Sequence, residues 1–225
     1  MTPHRPIGER RNASAEQVPA ATLDALAGLP TAILSDNMQG LVGTGLLRPW
    51  HRGGRMAGTA VTVRVRAGDN LVLHRALDHV RRGDVLVVDA GGEVAQAVTG
   101  KIMLTYLESI GCRGIVINGA VRGTDEIGRK DFPCFARGTT CRGPFKTGPG
   151  EYNIPVAIDT LVIAPGDIVV GDTDGLVAFP PTEAGRLITA AGAQLAKEEE
   201  GVRAIAQNRW DRSWIAATEA KYGLS

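Results

Sequence analysis

The sequence predicts an α/β protein, a parallel sheet with a β-rich layer beside it, on three observations. Residues 81–138 alternate continuous aliphatic runs with segments at helical spacing, in the order strand, helix, strand, helix, strand, which is the pattern of βαβ units. Residues 139–182 break into short apolar runs punctuated by Pro and Gly, as hairpins do. Of the 225 residues 29 are Gly while aromatics make up only 4%, so the core must be aliphatic and the turns many.

The polar stretch 1–19 predicts an arm outside the main domain. Residues 20–29 (AATLDALAGL) place apolar side chains at helical spacing up to Pro30, and TAILSDNM offers a second short helix ending near Ser35 or Asp36. MAGTAVTVRVR (56–66) alternates apolar with polar residues, so a strand exposed on one face is expected there. Asn70 to Val80 reads as a helix. RRGDVLVVDAGG (81–92) sets an aliphatic run between Gly83 and the pair Gly91 and Gly92, which predicts a strand buried on both faces. The strongest helical pattern follows from Glu93 to Ile110, with Gly111 placed to close it. GIVINGAV (114–121) is a second buried strand, Thr124 to Lys130 a short helix, and PCFARG (133–138) a further strand. Short strands are expected in PVAIDT, LVIAPGDIVVGD and GLVAFP. Helical spacing returns from Thr182 to Asn208, with KEEE (197–200) as a solvated face. Trp210, Trp214 and Tyr222 in the tail suit packing on a neighbour or on the chain's own body. The chain divides into an arm (1–19), a single α/β domain (20–182) and a C-terminal helix and tail (183–225).

Charge and composition exclude several classes. The 25 Lys+Arg against 24 Asp+Glu leave a net charge of +1, without the basic excess of a nucleic-acid binder, and no nucleic-acid partner is expected. No run approaches the ~18 to 20 apolar residues that cross a bilayer, and the first 17 residues lack the apolar stretch of a secretory signal; no membrane association is expected. Cys112, Cys134 and Cys141 cannot all pair and none forms a CxxC spacing, which suits a cytoplasmic location. Cys112 reads as an inert buried thiol, and Asp172 and Asp174 of GDTDG as turn residues. His74 and His79, five apart, do not share a helical face and read as non-ligands.

In open α/β sheets ligands collect at the carboxyl ends of parallel strands. The first such end is Asp89, before the glycine turn that leads to Gly100-Lys101-Ile102-Met103; Asp89 could orient Lys101 or Arg122, or simply cap the helix expected after Gly92. The second is NGAVRGTDE (118–126), where Arg122 stands just before a helix start. An arginine beside free backbone amides makes a clamp for a carboxylate or phosphate. Pairing of Arg122 with Glu126 is the competing reading. Asp125 and Glu126 in a first helical turn also complement the helix dipole.

At this point the sequence resembles a known family. GDVLVVDAGG, TGKIM, GCRGIVINGAVRGTDEI, RGPFKTGPGEYNIPV and GDIVVGDTDGLVAFP, in this order over about residues 20–182, resemble the regulator of ribonuclease activity A and the 4-hydroxy-4-methyl-2-oxoglutarate aldolases, a family with the older label dimethylmenaquinone methyltransferase. The methyltransferase label is set aside, because no glycine-rich nucleoside loop with an acidic residue after the next strand is present. The resemblance implies a β-rich layered α/β fold that forms a ring, a homo-trimer or a hexamer, with the site between subunits. Its catalytic members are metal-dependent lyases of small 2-keto dicarboxylic acids, cleaving aldols to pyruvate or decarboxylating oxaloacetate. Matched residue by residue, Arg122 corresponds to the arginine that grips the substrate carboxylate, Gly100, Lys101, Ile102 and Met103 to the loop whose amides hold the pyruvate moiety, and Asn70 to a polar position at the pocket edge. Glu151 is a candidate to reach a neighbour's pocket.

Two positions depart from the family's catalytic pattern. The Asp that anchors Mg²⁺ or Mn²⁺ directly after the arginine is Gly123 here, and the acidic residue after the glycine of the loop is Lys101. Hard cations need carboxylate oxygens, so the ordinary metal site is altered; Asp125 and Glu126 are the nearest carboxylates for a shifted one, and a metal-free site is the other possibility. Lys101 and Arg122 could then form a cationic pocket, with Lys101 as electrostatic partner or Schiff-base amine, or Lys101 could pair with Asp125 or Glu126. Two functions remain: a lyase with an altered site, or a non-catalytic ring-shaped regulatory or binding protein.

Overall fold

The computed structural model describes residues 5–224. Two prolines set the first helices. Pro19 precedes α1 (Ala20–Ala27) and Pro30 precedes α2 (Thr31–Asp36), each with extended backbone that turns directly into the helix. The amide and hydroxyl of Thr31 donate to the buried carboxylate of Asp172, at 2.8 and 2.6 Å. Asp172 is therefore more than a turn residue, since it also fixes the start of α2.

The strands that follow are β1 (Arg48–Pro49) and β2 (Met56–Val65), then α3 (Leu71–Ala76) with a 3-10 turn over Leu77–His79, and β3 (Asp84–Asp89). Next come β4 (Ala97–Thr99), α4 (Lys101–Ser109), β5 (Gly114–Val121), α5 (Thr124–Ile127) and β6 (Cys134–Thr139). The β-rich part holds β7 (Gly150–Tyr152), the hairpin of β8 (Val156–Ile158) and β9 (Leu161–Ile163), and the hairpin of β10 (Ile168–Asp172) and β11 (Gly175–Phe179). The chain closes with α6 (Ala184–Ala206) and α7 (Trp214–Tyr222).

Nine strands form one mixed sheet in the order β1-β6-β5-β3-β2-β10-β11, with β4 beside β5 and β7 beside β2. At its centre β2, β3, β5 and β6 run parallel, as the alternating pattern predicts. The aliphatic runs are buried on both faces. One face packs Val63, Leu86, Val88 and Ile117 against α3 and α4, and the other packs Val85, Val87 and Val116 against Val156 and Ile163 of the small hairpin and Ile154 just before it. A third cluster joins α1, α2 and the first part of α6 to β10 and β11.

Two elements differ from expectation. The alternation in β2 predicts an exposed face, yet only Arg64 of its ten residues is not buried. The polar side chains of β2 are satisfied internally: Thr59 accepts the Val18 amide at 3.0 Å and Thr62 donates to the Ile154 carbonyl at 2.6 Å. The helix expected from Glu93 to Ile110 begins only at Lys101. Residues 97–99 are recruited as a strand beside the end of β5, where the β-branched Val98 and Thr99 suit a pleated surface. Gly111 closes α4 as expected, its amide bonded to the Glu108 carbonyl.

The arm lies along β7. The Gly150 amide donates to Gly8, Tyr152 to Arg10, and Asn12 back to Tyr152. Glu151 is buried against this arm in an ion pair with Arg10, with Arg64 at 3.8 Å. Its reach toward a neighbour's pocket is thus corrected: its charge is met within the chain. Trp210, Trp214 and Tyr222 are 51%, 59% and 63% exposed, so the tail does not cover the body of its own chain. Among the described residues no helix is long and apolar enough to cross a membrane.

Candidate functional site

The carboxyl ends of β2, β4 and β5 converge on one cleft of about 720 Å³, lined by Asn70, Gly100, Lys101, Ile102, Met103, Arg122 and Gly123, with Thr99, His74, Gly143 and Lys146 among the others. The residues read from the motifs as binding or catalytic therefore meet in space.

Asn70 sits where β2 hands over to α3, and its position is set by Asp69. That carboxylate, 1% exposed, accepts hydrogen bonds from the amides of Leu71, Thr147 and Gly148 and from the Thr147 hydroxyl, at 2.6 to 3.0 Å. Burial pushes the Asp69 carboxyl up, and the four donors more than offset this and hold it below the usual carboxylate range. Asp69 thereby ties the 143–148 loop, one wall of the cleft, to the start of α3. Asn70 itself donates from Nδ2 to the Val98 carbonyl at 2.9 Å.

Gly100 is extended and leads into α4 with no side-chain cap. The amides of Lys101, Ile102 and Met103 lie in the first turn and lack intrahelical partners, so they present a patch of positive potential to the cleft. The first intrahelical bond to Gly100 is that of Leu104.

Arg122 is held by its own amide, which donates to the Thr99 carbonyl at 3.2 Å. Its side chain runs over two glycines: a Cβ at Gly100 would lie 3.1 Å from Arg122 Cγ, and one at Gly143 would lie 2.9 Å from Nη1. Side chains at either position would displace the guanidinium. Among the described residues no carboxylate lies within 4.0 Å of Arg122 or of Lys146. Glu126, the partner proposed for Arg122 in the competing reading, pairs instead with Lys101, Nζ to Oε1 at 3.3 Å. Lys146 Nζ lies 3.5 Å from His74 Nε2, and burial, then the Lys146 charge, push the His74 pKa down.

Other candidates lie elsewhere. Asp89 accepts the Gly91 amide at 3.0 Å and meets Arg64 at 3.4 Å, so it contacts neither Lys101 nor Arg122, and it caps the turn at Gly91 rather than a helix, since α4 begins only at Lys101. Asp125 lines a smaller neighbouring pocket of about 340 Å³ with Arg122, Thr124, Thr139, Thr140 and Cys141. Burial pushes the Cys112 thiol up to about 11, in keeping with an inert group. Sequence reading missed Asp69, His74, Thr99 and Lys146 as parts of the site. Only His74 carried a signal, standing one helical turn after Asn70.

A protein-family comparison matches residues 31–178 to the family described as RraA-like: Aldolase/RraA. The chain belongs to this family. A curated relative from Halalkalibacterium halodurans, named "Putative 4-hydroxy-4-methyl-2-oxoglutarate aldolase", is 35% identical over 181 residues, covering 80% of this chain and 86% of the relative. Among solved structures, an uncharacterized protein from Pseudomonas syringae pv. tomato superposes with a TM-score of 0.77 at 28% identity, covering 85% of this chain and 91% of that one. A Streptomyces coelicolor protein described as an unusual member of the RNase ES inhibitor RraA family gives a TM-score of 0.75 at 26% identity, over 82% and 97% of the two chains. The mixed α/β layered architecture is thus that of the RraA-like proteins.

The aldolase relative raises the question of a divalent metal, and the residues of this RraA-like site do not fit one. Among the described residues no three His, Cys, Asp or Glu side chains gather to hold an ion. Gly123 offers no oxygen ligand from a side chain, Glu126 is engaged by a lysine, and Asp125 faces the other pocket. Mg²⁺ or Mn²⁺ can be held through one or two carboxylates and waters, but Asp125 lies outside the lining of the cleft and Glu126 is bound to Lys101, so neither supplies a free carboxylate there.

Proposed function

We propose that this cleft binds a small 2-keto dicarboxylic acid and that the protein is a lyase, releasing pyruvate by aldol cleavage or by decarboxylation of oxaloacetate. The observation that carries the reading is Arg122, unpaired among the described residues and standing in one cleft with the uncapped start of α4. Either reaction leaves an electron pair on the 2-keto fragment as an enolate. The guanidinium suits the carboxylate, and the free amides of residues 101–103 suit the developing oxyanion, charge stabilisation of the kind that dominates such reactions. Lys101 adds a second cation at the rim, as electrostatic partner or as a Schiff-base amine.

A second reading, a non-catalytic ring-shaped regulator or binding protein, is favoured by the Lys101–Glu126 ion pair, which engages the only candidate amine at the loop. We infer a homo-trimer or hexamer acting in the cytoplasm, without nucleic-acid or membrane partners, in either case. A continuous assay for pyruvate release from oxaloacetate and from 4-hydroxy-4-methyl-2-oxoglutarate, with Mg²⁺ or with EDTA, separates the two. Turnover supports the lyase, and no pyruvate under any condition leaves the regulatory reading.

A further inference from the structure

The cleft is rich in cations and carries no carboxylate of its own. Among the described residues that line it, none is Asp or Glu, and Lys101, Arg122 and Lys146 are donors without a lone pair. Asn70, Thr99 and Tyr106 bring amide and hydroxyl groups, which take up no proton near neutral pH. His74 is the exception. Its imidazole is the one lining group with a basic lone pair.

The local fold sets its place. The His74 amide donates to the Asn70 carbonyl at 3.0 Å, one turn into α3, and Asp69 fixes that helix start against the loop that carries Lys146. His74 is exposed, so a ligand in the cleft can reach its ring. Lys146 Nζ stands 3.5 Å from Nε2 and can only donate, which assigns the lone pair to Nε2 and the proton to Nδ1. At that distance the contact is at the outer limit of a hydrogen bond, so Nε2 is loosely held. Among the described residues no carboxylate lies within 4.0 Å of the ring, Asp78 one turn further on included. The charged and aromatic groups of the strands packed on α3 are engaged elsewhere, Arg64 and Glu151 in their ion pairs and Tyr152 against His79. Burial of part of the ring, then the Lys146 charge, keep the His74 pKa below the usual 6.5, so the ring is mainly neutral at pH 7.

We propose that His74 is the general base of this cleft, with Nε2 taking the hydroxyl proton when a 4-hydroxy-2-oxo acid is cleaved. The inference rests on the lyase reading. As the proton leaves, the C–O bond becomes a carbonyl, the C3–C4 bond breaks, and its electron pair moves into the 2-keto group as an enolate. The imidazolium then returns the proton to C3, which gives pyruvate and a neutral His74. Decarboxylation of oxaloacetate differs, since it starts from an ionised carboxylate with no proton to give up. It needs no base.

That difference supplies the test. His74→Ala and His74→Gln, each confirmed folded by circular dichroism, should lower kcat for pyruvate release from 4-hydroxy-4-methyl-2-oxoglutarate by about 100-fold or more, the usual worth of a placed base, and leave oxaloacetate decarboxylation within about threefold. Added imidazole should restore cleavage to His74→Ala, because the position is open to solvent. Cleavage by the wild type should fall on acidification below about pH 6.5, as the base becomes protonated, and this limb should be missing from both variants. Equal losses of the two reactions, cleavage that survives in either variant, or failure of imidazole to rescue overturns the proposal. A wild type that decarboxylates oxaloacetate but cleaves no aldol overturns it too and leaves the decarboxylase reading standing. Absence of pyruvate from both substrates overturns the base and the lyase together.

Discussion

The guanidinium of Arg122 lies over Gly143 with no internal carboxylate in reach among the described residues, so an incoming anion meets no competitor there. Arg122→Ala should weaken binding of pyruvate or oxalate by about 1.5 to 3 kcal/mol, the scale of charge-assisted hydrogen bonds, and calorimetry reads it directly. Unchanged affinity would place the anion site elsewhere. The substitutions at Lys101 and Gly123 are tested by reversing them. Lys101→Glu with Gly123→Asp puts two carboxylates at the cleft, and the double variant should bind Mn²⁺ measurably more tightly than the wild type by titration followed through paramagnetic resonance. Space is sufficient, since a Cβ at position 123 would meet nothing nearer than the Lys101 amide nitrogen at 3.9 Å. The backbone is the obstacle: Gly123 has φ +79°, which an Asp adopts at a cost of about 1 kcal/mol, so reduced thermal stability should accompany the gain. At this scale the motifs made Arg122 and the 100–103 loop legible, because an arginine beside a glycine turn and a helix start carries its chemistry in sequence. Asp69, Thr99 and Lys146 were not legible, because their roles depend on burial and partners that only tertiary packing supplies.

Among the elements, the aliphatic strands were read within a few residues, since a run such as DVLVVD between glycines has no stable place except between two layers. Misreadings occurred where tertiary contacts overrode a local pattern. In β2 the threonines find partners inside, and residues 97–99 exchange helical spacing for pairing with β5. The arm shows the same principle, since its polar sequence gave no sign that it would pair with β7. Its anchor is the ion pair of Arg10 with Glu151, and that hydrogen bond, acting against burial, holds the Glu151 carboxyl below its usual range. A carboxyl with a depressed folded-state pKa contributes stability at pH above its unfolded value, near 4.5, and the contribution is lost as pH falls through the folded value. Arg10→Ala should therefore lower the melting temperature at pH 7, and the gap to wild type should shrink on acidification below about pH 4.5. A gap that is independent of pH would mean that the arm is held by its backbone pairing and not by the charge.

For the whole molecule the unresolved tension is the C-terminal end. Helix α6 runs for 23 residues, about 35 Å at the usual rise, yet its buried residues Ala184, Leu187 and Ala191 all fall in its first third. Beyond them Val202, Ile205, Trp210 and Trp214 are 50 to 67% exposed, and a groove of about 840 Å³ opens between α6 and Trp210. Aromatic and aliphatic side chains clustered in this way mark an interaction surface. The occupant that accords with the homo-trimer or hexamer proposed above is a second copy of the chain, and light scattering is then expected to give three or six times the 23.7 kDa of one chain. The tail and the fold can be separated experimentally, because among the described residues none beyond Leu195 belongs to any of the three core clusters or packs against them. Deleting residues 207–225 should therefore leave the circular dichroism of the body intact while shifting the assembly toward smaller species at micromolar concentration. A monomer mass for the full chain would refute the ring, whereas an unchanged oligomer after the deletion would move the interface to the sheet edges and leave the aromatic tail free for a different partner.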